Sequence, residues 1–332
     1  MNTPAKIALG GVLALSLATG FGAPAPAASK PVVLEVAFNQ PETHPQFQAM
    51  VRFGDAIKKR TDGRYEVKVF PNELLGAQKE TVEMVQSGTI AMAITAASLL
   101  ESWNPDFSVF NLPYMFNSIE QQKKVVNDPA ITSKLYNSVA DKGIVVLAAF
   151  HGGVRNVYLK KGGVMTPADL DGLKIRVMQS DTNIKMMNLM GGHGISMGQG
   201  EVYTAIQTGV LDGAENNEIV FFSLKQVEVA PHYSYTKHLM MPDYLVINTK
   251  LYKKLPADVR KIFDEELAKA VDYEYESFAR SVADNKAKAE AAGGKFYYPD
   301  ITPFQKAVAP LIQEKLTSPI TKEIYAKISK MK

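Results

Sequence analysis

Two arginines, one directly after a strand-like segment and one inside another, could form a carboxylate-binding site. Arg155 stands in FHGGVRNVY, directly after the apolar run Ile144–Phe150, and Arg176 lies inside LKIRVM. A guanidinium matches a carboxylate with two parallel hydrogen bonds and stays charged at any relevant pH. An arginine on a strand is usually a solvated surface residue, so carboxylate binding requires that both side chains point into one cleft.

A third polar segment, DGAENN, follows a helix-like stretch and ends at residue 217. The Asn216 amide can both donate and accept, which suits a hydroxyl or a carboxylate oxygen. Its spacing alone favours a turn or a helix N-cap before the apolar residues 219–222.

The sequence contains no motif that indicates catalysis, a metal or a cofactor. The match to G-x-S-x-G at residues 194–198 (GISMG) follows a helix-like segment, and no histidine has a triad context in sequence. The chain has 0 cysteines, which excludes a thiolate nucleophile, a disulfide and Cys-ligated zinc. The glycine-rich segment Gly191–Gly200 lacks both G-x-G-x-x-G and a terminal G-K-[ST], and it predicts a helix stop followed by a tight turn. The five histidines show no metal-ligand spacing: His44, His151, His193, His232 and His238.

Composition places the chain among ordinary globular proteins. It has 332 residues, of which 46% are hydrophobic, enough for roughly two domains. With 37 basic and 34 acidic residues the net charge is +3, and no long basic block suggests nucleic-acid binding.

The first 27 residues have the pattern of an export signal. Lys6 supplies the positive charge, residues 7–21 are apolar, and Ala25-Pro26-Ala27 ends the segment with small residues. An apolar run of about 15 residues is shorter than the ~20 needed to span a membrane. We therefore expect cleavage after Ala27 and export to the periplasm.

Strand-like and helix-like segments alternate, which predicts an α/β fold with helices packed over sheets. The predicted strands are Val32–Phe38, Tyr65–Phe70, Ile90–Ile94, Ile144–Phe150, Leu173–Met178 and Tyr244–Asn248. The predicted helices between them are Gln46–Lys59, Gln78–Gln86, Glu120–Val126, Thr132–Lys142, Thr182–Met190, Val202–Gln207 and Val220–Glu228.

The C-terminal part of the sequence is more helical. After Pro256 a helical pattern runs without a breaker to Gly293-Gly294, about 37 residues or roughly 55 Å at 1.5 Å per residue. A helix of this length exceeds one small domain, so we expect it to bridge two or to kink between them. Phe304–Lys332 predicts further helix.

Taken in order, six segments resemble the substrate-binding subunits of tripartite ATP-independent periplasmic (TRAP) transporters, the DctP-like family. They are LLGAQKETVEMVQSGTI, VFNLPYMF, GGVRNVY, TPADLDGLKIRVMQS, EVYTAIQTGVLDGAENN and PDYLVINTKLYKKLP. The resemblance implies a two-domain periplasmic binding protein with mixed sheets and a long helix spanning both domains. Such a receptor closes over an organic anion and delivers it to the small and large membrane subunits of a sodium-driven permease.

The resemblance also assigns roles to individual residues. Arg176 matches the arginine that pairs with the ligand carboxylate, Arg155 a second cleft arginine, and Asn216 a supporting asparagine. Asn39, after the first strand, matches a cleft position of the N-terminal domain. We expect Asn39 and two further residues of that domain, His44 and Gln78, to meet the hydroxyls of the ligand.

Departures from the family pattern bear on the ligand. Gln78 stands where many relatives carry an acid, Asn217 where many carry proline, and Gln199 where sialic-acid binders carry an aromatic residue. TAASLL, residues 95–100, replaces the acid-plus-arginine pair of those binders, which argues against sialic acid. RNVY and DGAENN resemble the members that bind sugar acids such as glucuronate and galacturonate.

The resemblance predicts domain I over residues 28–152 plus 242–281, and domain II over 153–241 plus 282–332. It implies a monomer without cofactor, metal or nucleic-acid partner, and not an enzyme. A receptor for a C4-dicarboxylate or another small carboxylate is the first alternative. The others are an exported lyase or hydrolase acting on an acidic sugar, and a binding protein that serves a sensor kinase.

Overall fold

The structure, a computed structural model, describes residues 30–331 together with residues 1 and 3. The predicted export signal and its cleavage site after Ala27 lie outside the described residues. In the described part, strands and helices alternate and form two separate sheets. The predicted α/β class with mixed sheets is confirmed.

The first sheet is built from β1 (Val32–Ala37), β2 (Tyr65–Phe70), β3 (Met92–Ala96), β4 (Ile144–His151) and β10 (Pro242–Asn248). Their spatial order is β2-β1-β3-β10-β4. Strand β1 runs parallel to β2 and β3, whereas β10 is antiparallel to β3 and β4. Because parallel strands end at one edge of the sheet, the loops after β1 and β2 leave at the same edge.

The second sheet is built from β5 (Arg155–Leu159), β6 (Lys174–Val177), β7 (His193–Ser196), β8 (Gly213–Asn216), β9 (His232–Leu239) and β11 (Lys295–Tyr297). Their spatial order is β11-β9-β5-β8-β6-β7. Strand β8 pairs antiparallel with β5 and parallel with β6. Three neighbouring strands therefore carry Arg155 (β5), Asn216 (β8) and Arg176 (β6).

Helices divide between the two sheets. The first sheet carries α1 (Pro45–Arg60), α2 (Gln78–Ser87), α3 (Ala97–Leu100), α4 (Ile119–Val126), α5 (Pro129–Tyr136) and α10 (Thr249–Lys254). The second carries α6 (Asp181–Leu189), α7 (Val202–Gln207), α8 (Glu218–Ser223) and α9 (Gln226–Val229). Short 3₁₀ turns cover Pro105–Asn111, Asn137–Val139, Pro167–Leu170 and Gln199–Glu201. We call the first sheet with its helices lobe I and the second lobe II.

The long helix α11 (Ala257–Ala291) spans both lobes, as predicted. In lobe I its Phe263 packs edge to face on Phe53 of α1, with ring centroids 5.2 Å apart. Near its other end, Ala289 belongs to the lobe II core around Tyr158 and Phe221. Two further helices, α12 (Thr302–Lys315) and α13 (Pro319–Ser329), complete the described chain.

The sequence missed five strands: β5, β7, β8, β9 and β11. Three of them have only three or four residues, too few for alternation to be recognised, and β9 (HYSYTKHL) is polar in composition. The interpretation of DGAENN as a turn was wrong, because residues 213–216 form a fully buried strand. Asn217, not Asn216, caps the following helix α8.

Three predicted helices were wrong in extent. The helix predicted over residues 132–142 already ends at Tyr136, and a 3₁₀ turn follows. The one predicted over 220–228 breaks at Lys225, which has φ 58°. The C-terminal segment divides into α12 and α13 before Pro319, since the residue before a proline disfavours helical geometry.

The chain passes from lobe I to lobe II between β4 and β5 and returns between β9 and β10. It crosses again along α11. The predicted domain limits fall at these passages, and the assignment itself stays a prediction.

Candidate ligand-binding site

A cavity between the lobes brings the predicted site residues together. Its wall includes all eight of them: Asn39, His44, Gln78, Arg155, Arg176, Gln199, Asn216 and Asn217. Lobe I contributes the loops after β1 and β2 and the start of α2, whereas lobe II contributes β6, the end of β8 and the turn before α7. Gln40, Glu73 and Asp243 also line the cavity and were not singled out by the sequence.

Arg176 is a buried cation that forms no ion pair in the described part of the chain. It lies in β6 and is only 4% exposed. Its Nε donates to the Met197 carbonyl at 2.8 Å and its Nη1 to Oε1 of Gln199 at 3.1 Å. Among the described residues, no carboxylate oxygen lies within 4.0 Å of the Arg176 guanidinium nitrogens, the distance that defines an ion pair. Burial lowers the pKa of Arg176 to about 10, so the side chain stays charged and favours an anion beside it.

Arg155 has a different environment, because its fork is already occupied. Its Nε and Nη2 donate to the two carboxylate oxygens of Glu215 at 2.5 and 2.8 Å. Its Nη1 donates to Oδ1 of Asn216 at 3.1 Å. The predicted second carboxylate-binding arginine is therefore saturated by a protein carboxylate, and it positions Asn216.

Glu215 is the functional residue that sequence reasoning missed most plainly. It is fully buried in β8. Burial by itself raises the pKa of Glu215, but the charge of Arg155 and the hydrogen bonds from His238 and Arg155 outweigh this and hold it at about 2. The signal that could have found it is physical: a buried arginine needs a carboxylate, and Glu215 precedes the nominated Asn216.

Gln199 and Asn216 form one hydrogen-bonded unit with Arg176. Oε1 of Gln199 accepts both from Arg176 Nη1 and from Asn216 Nδ2, the latter at 3.3 Å. These two donors fix the orientation of the amide, so Nε2 of Gln199 is available as a donor. This atom is buried and without a partner among the described residues.

Asn217 performs a structural task. Its Oδ1 accepts from the Val220 N–H at 3.1 Å and caps α8, and its Nδ2 donates to the Gly152 carbonyl at 3.0 Å. A Cβ at Gly153, where φ is +82°, would lie 2.5 Å from Nδ2 of Asn217. The glycine pair after β4, Gly152 and Gly153, therefore lets the backbone turn against this amide.

The lobe I wall is formed mainly by neutral polar groups. Asn39 and Gln40 follow β1, and Gln78 opens α2. His44 caps α1, where its Nδ1 accepts from the Gln46 N–H at 3.3 Å. Burial lowers the pKa of His44 to about 3, so the imidazole is neutral and can serve as a hydrogen-bonding group.

The burial of His44 makes stability depend on pH. The unfolded chain takes up a proton near the ordinary pKa of about 6.5, whereas the folded chain does so only near 3, so stability falls as the pH drops through this interval. We expect His44→Asn, which keeps the helix cap, to reduce this slope by about 1.4 kcal/mol per pH unit. Urea unfolding at pH 7, 6 and 5 measures it, with exposed His193→Asn as control. Equal slopes for wild type and His44→Asn would contradict the expectation.

Comparison with known proteins identifies the family. Residues 36–318 match the model of the bacterial extracellular solute-binding protein family 7, DctP. The chain belongs to this family. The resemblance inferred from its motifs is confirmed, and family 7 consists of solute-binding receptors.

Relatives of this family 7 chain include proteins with named ligands. It is 30% identical to a C4-dicarboxylate-binding periplasmic protein of Rhodobacter capsulatus, over 97% of this chain and 93% of that one. A TRAP periplasmic solute-binding protein of Anaerococcus prevotii, solved with α/β-D-glucuronate, is 37% identical, with TM-score 0.88 over 90% of this chain and 97% of that one. One of Xanthobacter autotrophicus, solved with β-D-galacturonate, is 31% identical, with TM-score 0.86 over 89% and 98%.

Two further observations concern the described part of this family 7 member. Its helices include none that is long and apolar enough to cross a membrane. Across the same residues, no group of three or more His, Asp or Glu side chains is arranged to hold a metal ion. The side chains that line the cavity can form hydrogen bonds and charge pairs.

Proposed function

We propose that this protein is a periplasmic receptor for a sugar acid of the glucuronate or galacturonate type. The observation that carries the proposal is Arg176, a buried guanidinium with no protein carboxylate beside it, in a cavity lined by polar groups of both lobes. Related proteins crystallised with glucuronate and galacturonate support this ligand class.

Binding begins on lobe II. The carboxylate of the ligand takes the fork of Arg176, and Gln199 and Asn216 beside it supply amide donors. A hydrogen bond to a charged group contributes about 1.5–3 kcal/mol net, so two or three supply much of the ~8 kcal/mol that micromolar affinity requires.

Contacts with lobe I then favour the closed form. Asn39, His44 and Gln78 hydrogen-bond the ligand hydroxyls once the lobes approach. The ligand can shift the equilibrium only because it binds the closed form more tightly than the open form. The closed receptor is recognised by the two membrane subunits of a TRAP permease. The chain reaches the periplasm after cleavage of the export signal behind Ala27, and it acts there as a monomer.

The alternatives make different demands on the site. A C4-dicarboxylate receptor needs cationic partners for two carboxylates. An enzyme acting on uronates needs a positioned acid and base at the ligand, and a receptor for a sensor kinase would share the cavity but not the membrane partner.

Isothermal titration calorimetry of the chain from Ala28 onward tests the proposal. We expect micromolar binding of D-glucuronate or D-galacturonate, at least about tenfold tighter than that of succinate or malate, a difference of about 1.4 kcal/mol. Tight binding of the diacids alone would overturn the ligand class. No detectable binding of any carboxylate would overturn the receptor proposal. An NMR spectrum of the recovered uronate must be unchanged, since turnover would favour the enzyme.

A further inference from the structure

Glu73 is an acidic residue that faces the cavity and takes no part in the scheme above. It lies in the loop after β2 with φ 56°, and its N–H donates to the Phe38 carbonyl at 3.1 Å. This bond ties the loop to the end of β1. The carboxylate is therefore held at the cavity wall by a fixed backbone.

The carboxylate of Glu73 reaches across to lobe II. Its Oε2 lies 2.6 Å from the position that a Cβ on Gly200 would occupy. Burial raises the pKa of Glu73, whereas the charge of Arg176 and the Gly200 N–H favour the ionised form. No side chain other than hydrogen fits at residue 200 without moving Glu73. The other oxygen, Oε1, is buried and has no hydrogen-bond partner among the described residues. An ionised carboxylate can only accept, so Oε1 needs a donor.

The cations that line the cavity suit one ligand carboxylate and not two. Glu215 neutralises Arg155 in a bidentate pair. Of the cavity-lining cations in residues 30–331, this leaves Arg176 to receive a ligand carboxylate. Glu73 and Asp243 line the same space. A second ligand carboxylate would thus meet acidic side chains and find no cation.

The directions of the hydrogen bonds lead to the same ligand. Lobe II offers donors, from the Arg176 fork and Nε2 of Gln199, whereas Glu73 on lobe I offers an acceptor. A sugar acid has a carboxylate to accept from lobe II and hydroxyls to donate to lobe I. A C4-dicarboxylate at neutral pH has acceptors at both ends and would leave Oε1 of Glu73 unsatisfied.

We propose that Glu73 determines the specificity of the receptor, by accepting a hydrogen bond from a ligand hydroxyl and by repelling a second carboxylate. Discrimination of this kind comes as much from the penalty on the wrong ligand as from contacts with the right one. The inference rests on the proposed function, because it concerns the choice between two ligands of the same Arg176 site.

Glu73→Gln tests the inference because it removes the charge and keeps the shape. We expect succinate to bind at least about tenfold more tightly than to wild type, since like charges placed together cost several kcal/mol. D-Glucuronate and D-galacturonate lose about threefold to tenfold, because a neutral acceptor replaces a charged one. The matched control is Glu83→Gln on the exposed face of α2, which must keep the wild-type ratio of the two affinities.

Titrations of wild type and variants with both ligand classes separate the possible failures. If wild type binds uronates and Glu73→Gln keeps its selectivity within twofold, the inference is overturned and the proposed function stands. If wild type binds no uronate, the proposed function fails and the inference with it. Unfolding curves without ligand check that each variant is folded. If Glu73→Gln disturbs the loop, Glu73→Ala takes its place, because it also removes the charge and must give the same gain in succinate affinity.

Discussion

We expect the replacement of Arg176 by alanine to weaken the binding of sugar acids strongly without unfolding the protein. The ligand carboxylate loses its buried charge partner, which costs about 3–5 kcal/mol, or a factor of roughly 10² to 10⁴ in affinity. We expect the unliganded variant to keep its unfolding midpoint or to gain slightly, because the substitution removes a buried cation that forms no ion pair among the described residues. Arg176→Lys also binds weakly, since an ammonium cannot reproduce the planar fork.

Calorimetry and ligand-induced thermal shifts measure this effect. The control is Arg64→Ala, which removes an exposed arginine paired with Asp258 at 2.8 Å, far from the cavity in the described fold. It must bind like wild type. Retention of uronate affinity within threefold by Arg176→Ala would contradict the assigned role.

Replacing Glu215 by alanine lowers the free energy of unfolding by about 3–5 kcal/mol, because Arg155 is left as a buried charge without a partner. The double variant Arg155→Met/Glu215→Leu recovers much of this loss, since it removes both charges from the interior. Urea unfolding at pH 7 measures both variants. The control is Glu323→Gln, whose ion pairs with Lys134 and Lys327 are solvent-exposed.

The contribution of Glu215 also depends on pH. Its pKa in the folded protein is about 2, below the ordinary value of about 4.3, so the stabilisation is present above pH ~4.5 and is lost as the pH falls towards 2. Glu215→Ala therefore lacks this part of the acid sensitivity of wild type. If Glu215→Ala were as stable as Glu323→Gln at pH 7, the buried pair of Arg155 and Glu215 would not stabilise the fold.

Sequence reasoning nominated residues better than it predicted their interactions. The eight nominated residues all line one cavity, because their motifs lie at strand ends and helix starts that converge there. The pairing of Arg155 with Glu215 was missed. Nothing in the local sequence shows which acid on a neighbouring strand reaches an arginine 60 residues away.

The local pattern also failed where elements are short. Strand β8 has four residues, all of them buried, and it is paired on both sides, by β5 and by β6. Its own letters, GAEN, favour a turn. Tertiary pairing overrode that preference, and with it the interpretation of Asn216.

By itself the sequence determined the α/β class, the long helix after Pro256 and the family, because periodic burial and ordered motifs are local properties of the chain. Only the tertiary structure decided which of two arginines lacks a counter-charge, and that Glu73 of lobe I faces Gly200 of lobe II. The physical reason is that charge pairing depends on distances between strands and lobes that are remote in sequence. The selectivity that we propose, for one carboxylate over two, depends on these distances.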